Sequence, residues 1–135
     1  MKILLDTQCW LWMEAEPERF HPQVKDLLLD PAHALYLSAA SAWEISIKIA
    51  IGKLRLPSPP SAYLAERMRR EKLRPLSIEH EHALLAGSLP PHHRDPFDRM
   101  LVAQALREKL TLLSADPIFA RYEAAVLWAD RESSR

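Results

Sequence analysis

The sequence predicts an α/β domain: a short, mainly parallel central sheet flanked by helices on both faces. Three observations carry this. Short apolar runs alternate along the chain with segments of helical period, the order expected when strands of one sheet are joined by helical crossovers. The first run, Ile3, Leu4 and Leu5, is apolar at consecutive positions, as a strand covered on both faces must be. Several runs end directly in acids or hydroxyl residues, and the carboxyl ends of parallel strands share one edge, where ligands bind.

With 135 residues, 48% hydrophobic and 27% charged, and two glycines, the chain has material for one core and too little for two, so residues 1–135 are expected to form a single domain. Eighteen basic and eighteen acidic side chains cancel, so no global field draws nucleic acid and such binding needs a local basic surface. Cys9 is the only cysteine, which excludes an internal disulfide and a cysteine zinc cluster and suits a reducing compartment. No apolar run reaches the length of a bilayer span, and the expected location is cytoplasmic, without membrane contact.

In order, residues 3–5 read as a central buried strand ending in Asp6 and Thr7, and residues 8–13 as the start of a helix that ends or turns at Pro17. A second helix covers residues 22–29, with Val24, Leu27 and Leu28 on one face and Asp30-Pro31 closing it. Residues 34–37, with Ser38 after them, form the second strand. Ser41 and Glu44 have the spacing of a capping box, which predicts a helix opening at Ser41 and running to Gly52, with Glu44 in its first turn. Residues 54–60 form a proline-rich loop, and residues 61–72 a helix bearing the densest basic cluster, Arg67, Arg69, Arg70, Lys72 and, beyond it, Arg74. Glu66 and Glu71 are interleaved there, which favours a solvated face over a phosphate-binding one. Residues 73–76 add a strand that Pro75 confines to an edge. Ser77 then caps a helix running to Gly87. Asp95 is the N-cap and Pro96 the first residue of a helix to Lys109, with Asp98 in its first turn. Residues 111–114 form a buried strand, Asp116-Pro117 follows it, residues 125–128 form a last strand, and residues 130–135 a frayed polar tail.

Each acid has a local explanation as a helix cap. Together they have a second one. Asp6 and Asp116 follow strands, while Glu44 and Asp98 open helices, so one sheet edge can gather all four. Two unit charges ~4 Å apart repel by about 4 kcal/mol at an effective dielectric of about 20, so a cluster needs a cation. The sequence offers no lysine of evident position for this. A divalent ion fits, and all-oxygen ligands favour magnesium or manganese.

Four segments then carry a family resemblance: Leu-Leu-Asp-Thr at 4–7, Ser-Ala-Trp-Glu-Ile-Ser-Ile-Lys at 41–48 with Gly-Lys-Leu at 52–54, His-Arg-Asp-Pro-Phe-Asp-Arg-Met-Leu-Val-Ala-Gln-Ala at 93–105, and Leu-Leu-Ser-Ala-Asp at 112–116. In this order and spacing, spanning nearly the whole chain, they resemble PIN-domain proteins, in particular the VapC-type ribonuclease toxins of bacterial toxin-antitoxin pairs. The resemblance implies a PIN fold whose catalytic and metal-binding acids are Asp6, Glu44, Asp98 and Asp116, with Thr7 and Ser114 as hydroxyl neighbours and Asp95 mainly a cap. It further implies one or two Mg2+ or Mn2+ ions, hydrolysis of RNA phosphodiesters to 5′-phosphate and 3′-hydroxyl ends, a cognate antitoxin and a homodimer. Asp6 and Asp98 are expected to contribute most to the tighter metal position, Glu44 and Asp116 to complete it or orient water. Arg67, Arg70 and Arg99 are candidates for RNA phosphate contacts.

Other readings stay open at this point. His92 and His93 adjoin the acids and read as exposed or capping residues more readily than as ligands or general acids. Cys9 suits a small core position rather than a nucleophile, and the tryptophans, Trp10, Trp12, Trp43 and Trp128, suit core or interface burial better than base stacking. A phosphoacceptor receiver domain needs an acid pair in its first loop and a late strand-end lysine, and the chain has neither. A PIN-fold nuclease acting on DNA or in RNA maturation, and a non-enzymatic α/β interaction module, are alternatives that substrate profiling and metal binding separate.

Overall fold

The computed structural model describes residues 1–132; of the tail expected to fray, 130–135, residues 133–135 lie outside the described residues. Strand β1 (Lys2–Leu5) is followed by α1 (Thr7–Ala15), a 3-10 turn (Pro17–Arg19), α2 (Pro22–Leu29), β2 (Ala34–Ser38) and α3 (Ala39–Ala50). Then come α4 (Pro60–Arg70), β3 (Leu73–Leu76), α5 (His80–Ser88), α6 (Pro96–Glu108), β4 (Thr111–Ser114), a second 3-10 turn (Pro117–Arg121) and β5 (Val126–Trp128). The five strands form one sheet in the order β3-β2-β1-β4-β5, parallel throughout.

Period-two alternation sends successive residues of each strand to opposite faces. Ile3 and Leu5 join one apolar cluster with Trp10 and Trp12 of α1, Val24 of α2 and Tyr63 of α4. Leu4 joins the other, with Ala86 of α5 and Leu101, Val102 and Ala105 of α6. Helix α3 serves both, through Ile45 and Ala40 respectively. Helices therefore cover both faces, and β1 is central with all three apolar residues fully buried. Pro75, which has no N–H, sits in edge strand β3 opposite Leu37.

The chain adds β2 and β3 on one side of β1 and β4 and β5 on the other. The strand order reverses between β1 and β4, the position where open α/β sheets form a ligand crevice. Asp6 directly follows β1, and Asp116 lies two residues beyond β4. A buried polar chain braces this edge: Ser38 Oγ accepts from Ala40 N–H and donates to Gln104 Oε1 at 2.5 Å, and Gln104 Nε2 donates to the Ser77 carbonyl.

Several boundaries differ from the sequence expectation. Ser38, not Ser41, caps α3, so Glu44 falls in the second turn. Glu79, not Ser77, opens α5, through a capping box with His82. Helix α4 ends at Arg70, and Lys72 adopts a left-handed φ of 56° in the turn to β3. No helix of the described residues is long and apolar enough to cross a membrane.

Where α1 meets α4, Glu14 and Glu71 leave buried carboxylate oxygens without hydrogen-bond partners. Arg67 Nε stands 3.4 Å from Glu14 Oε1. Burial, then the Glu14 carboxyl beside it, raises Glu71 to about 8, so Glu71 keeps its proton at neutral pH. The folded chain keeps that proton between pH 4.5 and about 8 while an unfolded glutamate releases it, so the contribution of Glu71 to stability falls as pH rises through that window. Urea unfolding is expected to show this decline in the wild type and a flatter profile in Glu71→Gln, which should gain stability near pH 8; an unchanged slope would refute the raised Glu71.

Candidate active site

Asp6 continues the line of β1, its N–H donating to the Leu113 carbonyl at 3.0 Å. Its Oδ1 accepts from Cys9 N–H at 2.6 Å and so caps α1. The residue is 5% exposed. Burial raises its pKa and Asp116 adds to the rise, against hydrogen bonds from the Ser114 hydroxyl and Cys9. Asp116 Oδ1 accepts from Ile118 N–H, and its own N–H donates to Ser114 Oγ. Asp98 lies in the first turn of α6. Its Oδ2 is 2.8 Å from His93 Nε2, and burial, opposed by His93 and assisted by Asp95 and Asp6, raises it to about 6.

Glu44 does not close back on its own helix. Ser41, its expected capping partner, is buried and accepts a hydrogen bond from Thr7 Oγ1 at 2.9 Å. Glu44 Oε2 is 3.3 Å from Lys48 Nζ, and Oε1 is buried without a hydrogen-bond partner. The four acids line one pocket of about 220 Å³, together with Thr7 and Lys48.

Capping and convergence are compatible here. Asp98 is held through one oxygen by His93 and Asp116 through one by Ile118 N–H, while Asp6 Oδ1 accepts from Cys9 N–H and the Ser114 hydroxyl donates to the same carboxylate, which orients each of the three side chains. Lys48 offsets one of four negative charges. The orphaned Glu44 oxygen and the all-oxygen donor set fit a hard divalent cation such as Mg2+ or Mn2+. Among the described residues the one group of three donors whose atoms lie within 4.8 Å of one another is His93, Asp95 and Asp98; the four acids share the pocket at wider spacing. Asp95 Oδ1, however, accepts from both Phe97 and Asp98 N–H, the cap expected of it.

None of the three arginines expected at phosphates lines this pocket. Arg99 donates to the carbonyls of Ala86, Leu89, Pro90 and His93, clasping the loop before α6. Arg67 pairs with Glu14 and lies over the Tyr63 ring. Arg70 pairs with Glu66 and lines a separate cavity of about 630 Å³ with Lys72 and Arg74, beside the amino end of β3. Lys48, signalled in the sequence only by its spacing four residues after Glu44, also lines the pocket. His92 and His93, expected to be exposed or capping, are half-buried, His93 on Asp98 and His92 edge-on to Tyr122. Trp10 and Trp12 are buried as expected, whereas Trp43 is 60% exposed and packs edge-on against Phe97.

A PIN domain family model matches residues 3–125. Ribonuclease VapC16 of Mycobacterium tuberculosis (strain ATCC 25618 / H37Rv) is 42% identical over 77 residues, covering 51% of this chain and 54% of that protein. The match thus spans about half the length of the curated relative. Among solved structures, VapBC2 from Rickettsia felis bound to a DNA fragment from their promoter matches with a TM-score of 0.71 at 16% identity, over 96% of this chain and 100% of that one. DNA-bound VapBC from Salmonella typhimurium matches with a TM-score of 0.70 at 18% identity, over 95% and 98%. At these identities the likeness is one of fold.

The two groupings of donors make different demands on Asp95. Asp95→Ser keeps an acceptor for the two N–H groups and is expected to retain stability within about 0.5 kcal/mol and full Mn2+ affinity, while Asp95→Ala loses about 1 kcal/mol. Loss of Mn2+ binding in the serine variant would move the metal position to His93, Asp95 and Asp98.

Proposed function

Because the chain belongs to the PIN domain family, we propose that it is a metal-dependent endoribonuclease in which Asp6, Glu44, Asp98 and Asp116 hold one or two Mg2+ or Mn2+ ions. The observation that carries this reading is Glu44 Oε1, buried and unpartnered in a pocket with three other carboxylates. An acid serving only its own helix has no reason to be there.

When bound, a divalent ion supplies Lewis acidity: it lowers the pKa of water and neutralises charge on the scissile phosphate. The protein's own groups do the rest. Asp6 and Asp116, fixed by cap bonds at the sheet's switch point, present oxygens on a rigid frame. Asp6 and Asp98 are assigned the larger share of the tighter position, with Glu44 and Asp116 completing it or orienting water. His93 fixes one oxygen of Asp98, so the other is the one available to an ion. No histidine base is required for hydrolysis.

The substrate class proposed is RNA, supported by the ribonuclease relative. A cognate antitoxin is proposed as partner, supported by the VapBC complexes of like fold, and a homodimer as the working state. The chain is assigned to the cytoplasm as the toxin of a toxin-antitoxin pair, with residues 1–135 as one PIN domain.

Purified protein is expected to cut a mixed tRNA and ribosomal RNA pool in Mg2+ or Mn2+, with loss of cutting in chelator. Asp6→Asn keeps the cap acceptor and removes a repelling charge. It should therefore unfold at a higher temperature than metal-free wild type while losing about 100-fold or more of its activity. Metal-loaded wild type that cuts DNA alone would redirect the reading to a DNA nuclease, and one that cuts neither would leave the interaction module.

A further inference from the structure

Lys48 is the one lysine or arginine lining the acid pocket among the described residues. It sits one helical turn beyond Glu44, with Nζ 3.3 Å from Glu44 Oε2 and a side chain 36% exposed against 14% for Glu44. An exposed pair at this spacing is an ordinary helix contact of small worth. This pair differs because its acid projects among three other carboxylates and keeps a second, orphaned oxygen. The lysine is therefore the pocket's own counter-charge.

We propose that Lys48 is the phosphate-binding residue of the site: it neutralises Glu44 in the metal-free protein and, where the acids hold a divalent ion, would be released from Glu44 to bind an RNA phosphate in the same pocket. This rests on the reading of the four acids as a metal site. The chemistry of exchange favours it. A carboxylate that ligates a divalent cation has less need of an ammonium, and the two cations repel each other. The RNA backbone brings a new anion to the same pocket, and a lysine on a flexible four-carbon stem can follow it. The need for such a group is concrete. Arg99 is occupied by backbone carbonyls and Arg67 by Glu14, and neither lines the pocket.

The exchange predicts effects of opposite sign in one variant. Lys48→Met removes a competitor for Glu44, so Mn2+ measured by calorimetry should bind more tightly than to wild type, by about threefold or more. The same variant should bind a labelled mixed-sequence 12-nucleotide RNA about tenfold more weakly in Ca2+. Its dependence of log affinity on log salt should be shallower by about 0.7, the loss of one single-strand phosphate contact. Lys48→Arg should restore RNA binding and the salt slope. Unchanged RNA affinity and slope in Lys48→Met, with Mn2+ binding intact in both proteins, would reduce Lys48 to a helix ion pair and overturn the proposal alone. Weaker Mn2+ binding in Lys48→Met would overturn it too, because the lysine would then support the metal site rather than compete for it. Wild type that binds no Mn2+ would overturn the metal site and, with it, the exchange.

Discussion

Like charge held together at the carboxyl edge of a parallel sheet is the constraint to which the rest of this structure answers. Asp6, Glu44, Asp98 and Asp116 share one small pocket, and burial and mutual repulsion raise Asp6 and Asp98 above the ordinary carboxylate range. An isolated helix or loop would relax away from such a cluster. Here the frame cannot. β1 is fully buried between two apolar clusters, and the Ser38–Gln104–Ser77 chain ties the end of β2 to α6 and the β3–α5 connection. Rigid packing of this kind holds a geometry that its charges oppose.

The caps solve a second problem, that of orientation. Asp6, Asp95 and Asp116 each accept a backbone N–H at the start of a helical segment, which places negative charge where the helix dipole favours it. For Asp6 and Asp116 the cap bond also points a carboxylate at the pocket. Local helix physics and the shared site use the same side chains. Hence a reading of each acid as a cap was correct for these residues without being complete.

The sheet, its central strand and α6 were legible in the sequence because their signals are local: three consecutive apolar residues, an Asp-Pro opening, a periodic apolar face. Asp6 and Asp116 were legible as strand-end acids for the same reason. Glu44 was placed one turn too early, because Ser38 and Ser41 are equally good local caps. What decided between them was tertiary, the Ser41 hydroxyl meeting Thr7 of another helix. The arginines were beyond reach for a similar reason. Arg99 looks like a free cation beside Asp98 until the loop folds its carbonyls around it. Lys48 was visible as a spacing but not as a member of the site, since nothing local says that α3 brings it to the acids' pocket.

The most direct test is a crystal soaked in Mn2+ and measured at a wavelength where manganese scatters anomalously. The account predicts a peak bounded by carboxylate oxygens of Asp6 and Asp98 at about 2.0–2.3 Å, with Glu44 or Asp116 ligating directly or through water. A peak seated on His93 and Asp95, or none in the pocket at saturating Mn2+, would contradict it.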